Sequence, residues 1–183
     1  YYFGSAMQGV YQQWISGFDL VELWDAYDVA TGPDGKIYVA NNDPERNILV
    51  FELSLTDSVQ IGVNATTNDP VYSYVIPAPY RMSTGTDPIW SITVDDNGYV
   101  YVTVEGDNET PGKVLVFEGP NMDDNWGILH NSNPIAVIEM NEPGFVNGIA
   151  VKGDGTLLYT SNYTNRNAYC YIGSPTTGYE RHE

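Results

Sequence analysis

One short pattern occurs three times in this chain, as "DVATGPDGKIYVAN" at 28–41, "SITVDDNGYVYVTV" at 91–104 and "GIAVKGDGTLLYTS" at 148–161. Each copy reads as an apolar strand, a tight turn and a second strand. The turns are Asp34-Gly35, Asn97-Gly98 and Asp154-Gly155. A short hairpin turn needs positive φ, which Gly, Asn and Asp tolerate best. Aligned on Gly35, Gly98 and Gly155, the copies stand 63 and 57 residues apart. Repetition at that period predicts an array of like β units, each too small to bury its own faces.

A further strand follows each hairpin: "NILVFEL" (47–53), "KVLVFEG" (113–119) and "NAYCYIG" (167–173). A fourth type precedes each one: "DLVELW" (19–24), "VYSYVIP" (71–77) and "PIAVIEM" (134–140). Their β-branched and aromatic content favours strands. Four antiparallel strands per unit make a propeller blade. The expected fold is therefore all-β, with three four-stranded antiparallel β-propeller blades. Closed rings normally hold four blades or more. Three blades are thus an incomplete ring or part of a larger one, and two copies would make six. The expected layout is an N-terminal arm (1–17), blades within 18–173 and a polar C-terminal tail (174–183). The blades fall at about 18–53, 71–118 and 134–173, with long loops at 54–70 and 119–133. The repeat units start on an outer-type strand, so "DLVELW" is expected to complete the last blade beside "NAYCYIG".

Composition narrows the classes of function. Asp and Glu number 24 against seven Lys and Arg, a net charge of −17. Such a surface repels phosphate backbones and anionic lipid, which argues against nucleic-acid partners. No apolar run is long enough to span a membrane. Two histidines and one cysteine exclude a Cys/His zinc cluster and an internal disulfide. Cys170, in an apolar strand, reads as an inert core thiol. Three sequons begin at Asn64, Asn108 and Asn162. With the Tyr-, Asn- and Thr-rich loops they suggest an extracellular or periplasmic location. The start at Tyr1 reads as a mature, trimmed or excised segment.

The three copies resemble the blades of NHL-repeat proteins and of the senescence-marker and gluconolactonase-type propellers, over about residues 19–173. The resemblance implies a ligand site at the mouth of a central channel, where the first strand of each hairpin begins. The position eight residues before each turn glycine holds Tyr27, Trp90 and Asn147. In the lactonase-type relatives an Asn there ligates a metal, and Asn147 in "VNGIAVKGDGTLLYTSN" matches it. Asn162 falls near an Asp that in those relatives binds the metal and serves as base. An amide has no useful proton affinity near neutral pH, so Asn162 is no base. Trp90 stands where a second ligand Asn is expected.

Acidic loops follow the second strands, with Asp43 and Glu45 in one and Glu105, Asp107 and Glu109 in the next. A cation held by Asn147, Asn162, Glu105 and Asp107 would be calcium, which prefers oxygen donors. "NMDDNWG" (121–127) has calcium-loop spacing without the glycine or the distal Glu. The functional expectation is a non-catalytic secreted module for binding or assembly, using Tyr27, Trp90 and Asn147. Its partner is a protein, a glycan or a second copy that completes the ring. The alternative is a metal-dependent lactonase or esterase of the propeller type, or a fragment of one.

Overall fold

A computed structural model describes residues 25–43, 46–52, 58–63, 70–74, 80–85, 88–121 and 129–182. The expected arm, the strand at 19–24 and most of the 121–127 loop lie outside them. The first strands are β1 (Ala26–Thr31), β2 (Ile37–Asn41) and β3 (Ile48–Phe51). A separate hairpin comes next, β4 (Ser58–Val63) with β5 (Pro70–Tyr74), and then β6 (Tyr80–Ser83). The middle of the chain gives β7 (Ile89–Val94), β8 (Val100–Val104), β9 (Pro111–Phe117), β10 (Leu129–Asn131) and β11 (Ala136–Pro143). The last sheet uses β12 (Val146–Val151), β13 (Leu157–Asn162), β14 (Asn167–Ser174) and β15 (Gly178–His182). Among the described residues there is no helix, hence none long and apolar enough to cross a membrane.

These strands build three four-stranded antiparallel blades: β1-β2-β3-β6, β7-β8-β9-β11 and β12-β13-β14-β15. In the first, β10 adds a fifth strand, parallel to β6. Gly35, Gly98 and Gly155 all have positive φ, as the turn chemistry requires.

The outer strands differ from expectation. Blade 1 takes Tyr80–Ser83, from the span expected to belong to blade 2. Blade 2 takes β11, which overlaps the 134–140 segment expected to open blade 3, so each outer strand follows the third strand of its own blade. Residues 70–74 pair instead with 58–63, a sequence-local partner that costs little loop entropy. Tyr80 and Met82 then bury alternate side chains against the first blade. In blade 3, β15 occupies the place beside β14 expected for "DLVELW". The C-terminal segment expected to be a loose tail is thus a strand over Gly178–His182. It returns through a tight turn in which Ser174 Oγ accepts the Thr177 N–H, and Gly178 has positive φ.

The blades stack in chain order, with β7 packed against both β1 and β12. The forward face of blade 1 (Tyr38, Ala40, Ile48, Val50, Tyr80, Met82) covers the rear face of blade 2. That rear face comprises Ile92, Val100, Val102, Val104, Leu115 and Phe117. The forward face of blade 2 (Tyr101, Val114, Val116, Ile138, Met140) covers Leu158, Tyr169 and Tyr171 of blade 3. Each large apolar side chain so buried contributes roughly 1.5–3 kcal/mol. Polar groups stitch the same joints. Asp28 accepts from Ser91 Oγ at 2.5 Å and Ile92 N at 3.0 Å, tying β1 to β7. Buried Asp95 accepts from Tyr101 Oη at 2.9 Å, and Tyr101 Oη lies 3.0 Å from Tyr179 Oη. Tyr179 in turn donates to Gly155 O at 2.7 Å. Burial, with the Tyr179 and Asp95 hydrogen bonds, pushes the Tyr101 hydroxyl far above its ordinary pKa.

Register places one tyrosine at the same point in every blade. Tyr38 lies between Ala30 and Val50, Tyr101 between Thr93 and Val116, and Tyr159 between Ala150 and Cys170. Alignment on the turn glycines would instead match Tyr101 with Leu158. The third turn is one residue longer: Val94 pairs with Val100, but Val151 pairs with Leu158. One residue of slip exchanges the two faces of a strand.

Candidate functional site

All three residues expected at a channel mouth sit at a break in strand register. Ala26 pairs with Asn41 and Asp28 with Ala40, leaving Tyr27 between them. Ile89 pairs with Val104 and Ile92 with Val102, which frees Trp90 and Ser91. Val146 pairs with Asn162 and Gly148 with Ser161, so Asn147 stands out of the ladder. A bulge of this kind re-aims a side chain that a regular strand would point elsewhere.

The structure brings Tyr27 and Trp90 together. Their ring centroids lie 4.5 Å apart at 62°, an edge-to-face pair. Asn42 braces the spot, its N–H donating to Asp25 O at 3.0 Å and its Oδ1 accepting from Ile89 N at 2.7 Å. Trp90 Nε1 is buried and has no hydrogen-bond partner among the described residues. The Asp25 carboxylate beside Tyr27 pushes its hydroxyl above the usual value, with a smaller push from Glu105. An aromatic edge with acceptors around it suits a ligand that carries hydroxyl groups.

Asn147 is exposed on β12. Asn162 is buried, at 1% exposure. Its Nδ2 donates to Pro143 O at 3.4 Å and its Oδ1 accepts from Asn165 N at 3.1 Å. The amide therefore fastens the β13–β14 turn to the end of β11. Gly144 allows this approach, since a Cβ there would fall 2.5 Å from Asn162 Oδ1. Burial also keeps the Asn162 sequon from acting as a glycosylation acceptor in the folded chain, whereas Asn108 is exposed.

Asp107 accepts from Glu109 N at 2.8 Å and Thr110 N at 2.6 Å. Those N–H groups hold its carboxyl below the usual range. The acidic trio after β8 is thus built around a self-capped loop. Among the described residues no three His, Cys, Asp or Glu side chains converge to hold a metal ion.

A cavity of about 430 Å³ lies at the same end of blades 2 and 3, lined by Asn108, Phe145, Tyr163, Thr164 and Arg166. Sequence reasoning missed it, because its walls come from three separate loops. Arg166 has φ 57°, alone among described non-glycine residues in the left-handed region. Holding Arg there costs roughly 1–2 kcal/mol relative to Gly. An Arg in the four-residue turn between Asn162 and Asn167, within so acidic a chain, is the one signal that pointed to it.

Cys170 is half-buried on the forward face of blade 3, not in the core. The thiol beside Tyr159 raises the pKa of that hydroxyl.

No protein-family model and no curated protein matches the chain.

Proposed function

We propose that the chain is a non-catalytic, secreted β-propeller module for binding or assembly, of the kind found in NHL-repeat and gluconolactonase-type propellers. One observation carries the assembly part. Tyr38 and Tyr101 are 2% and 0% exposed, each covered by the next blade, while the equivalent Tyr159 is 47% exposed. Beside it Ala150, Ala168 and Ile172 are exposed as well. The opposite end of the row is open in a matching way. Ile92 is 3% exposed against blade 1, and its counterpart Val29 on β1 is 61% exposed. Val39 and Leu49 on that rear face are buried, so the open part is the inner strand.

Among the described residues the forward face of blade 3 has no successor and the inner strand of blade 1 no predecessor, and the two are complementary by the repeat itself. A second copy of this chain satisfies both at once, and two copies give a ring of six blades. The Tyr27–Trp90 pair then lies at the channel mouth of that ring, where it receives a protein or glycan ligand. The lactonase reading draws less support: among the described residues no three His, Cys, Asp or Glu side chains gather to hold a metal, and Asn162 is committed to the turn.

Light scattering on the purified chain tests assembly. Wild type is expected at twice the chain mass, and Tyr159→Glu and Val29→Glu at the chain mass with unchanged circular dichroism. A wild-type chain that is folded and monomeric at every concentration refutes ring closure.

A further inference from the structure

We propose that the cavity beside the β13–β14 turn binds an acidic sugar, the uronic-acid residue of a glycan, with Arg166 taking its carboxylate. Charge accounting draws attention to this side chain. Lys36, Arg46, Lys152 and Arg181 each have a carboxylate partner, respectively Asp34, Asp43, Asp154 and Glu142. Lys113 stands across from Glu139 in the β9–β11 ladder. Arg166 has no carboxylate partner among the described residues, although the chain carries 24 acidic groups. It also occupies a backbone position that Gly or Asn would fill with less strain. Arg166 lines a cavity large enough for a sugar ring.

The other walls suit the rest of that ligand. Tyr163 is widely exposed and Phe145 half-buried, so two aromatic surfaces are available to the apolar face of a pyranose. Thr164 Oγ1 already accepts from Phe145 N at 3.3 Å, which leaves its proton to donate. Asn108 presents an amide that both donates and accepts. A guanidinium grips a carboxylate through two parallel N–H···O bonds, a geometry an ammonium cannot supply. An acidic peptide such as oligoglutamate would satisfy the charge but bring no apolar ring face to Tyr163 and Phe145. The inference rests on the binding-module reading and is separate from ring closure.

Calorimetry with the full chain tests it, using trigalacturonate, its methyl ester and triglutamate as probes. Wild type is expected to bind trigalacturonate, with the ester about tenfold weaker or worse through loss of the charge-assisted pair. Arg166→Gly is expected to lose a similar factor while its melting temperature holds or rises, since strain is relieved. Tyr163→Ala is expected to weaken acid and ester alike. Equal affinity for acid and ester, no binding of trigalacturonate by wild type, or a preference for triglutamate would each overturn the assignment. If light scattering still shows the dimer, such a failure removes this site and leaves the assembly reading standing.

Discussion

The forward faces of blades 2 and 3 carry the same tyrosine in the same cross-strand setting, yet one is sealed and the other open. Tyr101 is enclosed by blade 3, donates to Asp95 and lies 3.0 Å from Tyr179 Oη. Tyr159 has Ala150 and Cys170 across from it in the ladders and is 47% exposed. The difference lies in the neighbour of each blade, not in the residue. A propeller blade is apolar on both faces, so its burial is decided by the blades on either side. The end blades therefore report on assembly in a way the middle blade cannot.

The largest effect should come from truncating the two tyrosines. Tyr101→Ala removes a buried ring and leaves Asp95 short of a donor. It should cost about 3–5 kcal/mol in urea denaturation. Tyr159→Ala, measured under conditions that keep the chain monomeric, should change stability by no more than about 0.5 kcal/mol. Similar costs for both would erase the contrast between sealed and open faces.

Alkaline titration sharpens the same comparison. Burial holds the Tyr101 hydroxyl protonated well past its ordinary pKa, and burial raises Tyr179 too. A group with a raised folded pKa contributes stability that is complete below the unfolded value, about 10. That contribution is lost as pH climbs above it. Wild type should therefore lose stability steeply above about pH 10, and Tyr101→Phe should flatten that loss. Tyr159→Phe should leave the profile of the monomer nearly unchanged. Loss of stability in Tyr101→Phe equal to wild type across that window would contradict the burial argument.

A smaller effect separates two turns of the repeat. A Cβ at Gly155 would fall 2.6 Å from Asp95 Oδ2, while one at Gly35 meets nothing within 4 Å. Both glycines have positive φ, so both alanine variants bear about 1 kcal/mol of backbone strain. Gly155→Ala should exceed Gly35→Ala in thermal denaturation because it also disturbs the Asp95–Tyr101–Tyr179 joint. Equal losses would mean that the joint between blades 2 and 3 yields without cost.

The all-β blade architecture was legible because its signals are local. Asp-Gly and Asn-Gly turns between alternating strands specify hairpins without help from the rest of the chain. Outer strands were less legible, since among the described residues those of blades 2 and 3 meet a partner on one side only and tolerate polar residues. "GYERH" makes β15 with almost no apolar pattern. The equivalence of Tyr159 with Tyr101 was hidden by one extra residue in the Lys152–Leu157 turn, which no composition rule detects. The mouth positions escaped that error because they precede the turn, and bulges bring Tyr27 onto Trp90. The Arg166 cavity needed the three-dimensional meeting of Asn108, Phe145 and the β13–β14 turn.

Cys170 offers the most direct view of the central claim, that a second copy covers the forward face of blade 3. It is the single thiol of the chain and lies directly across from Tyr159 in the β13–β14 ladder. Its rate of reaction with a neutral thiol reagent can be followed over a wide range of protein concentration. The account predicts that the rate constant falls as concentration rises, and that Tyr159→Glu reacts fast throughout. A rate constant independent of concentration and identical in wild type and Tyr159→Glu would contradict it.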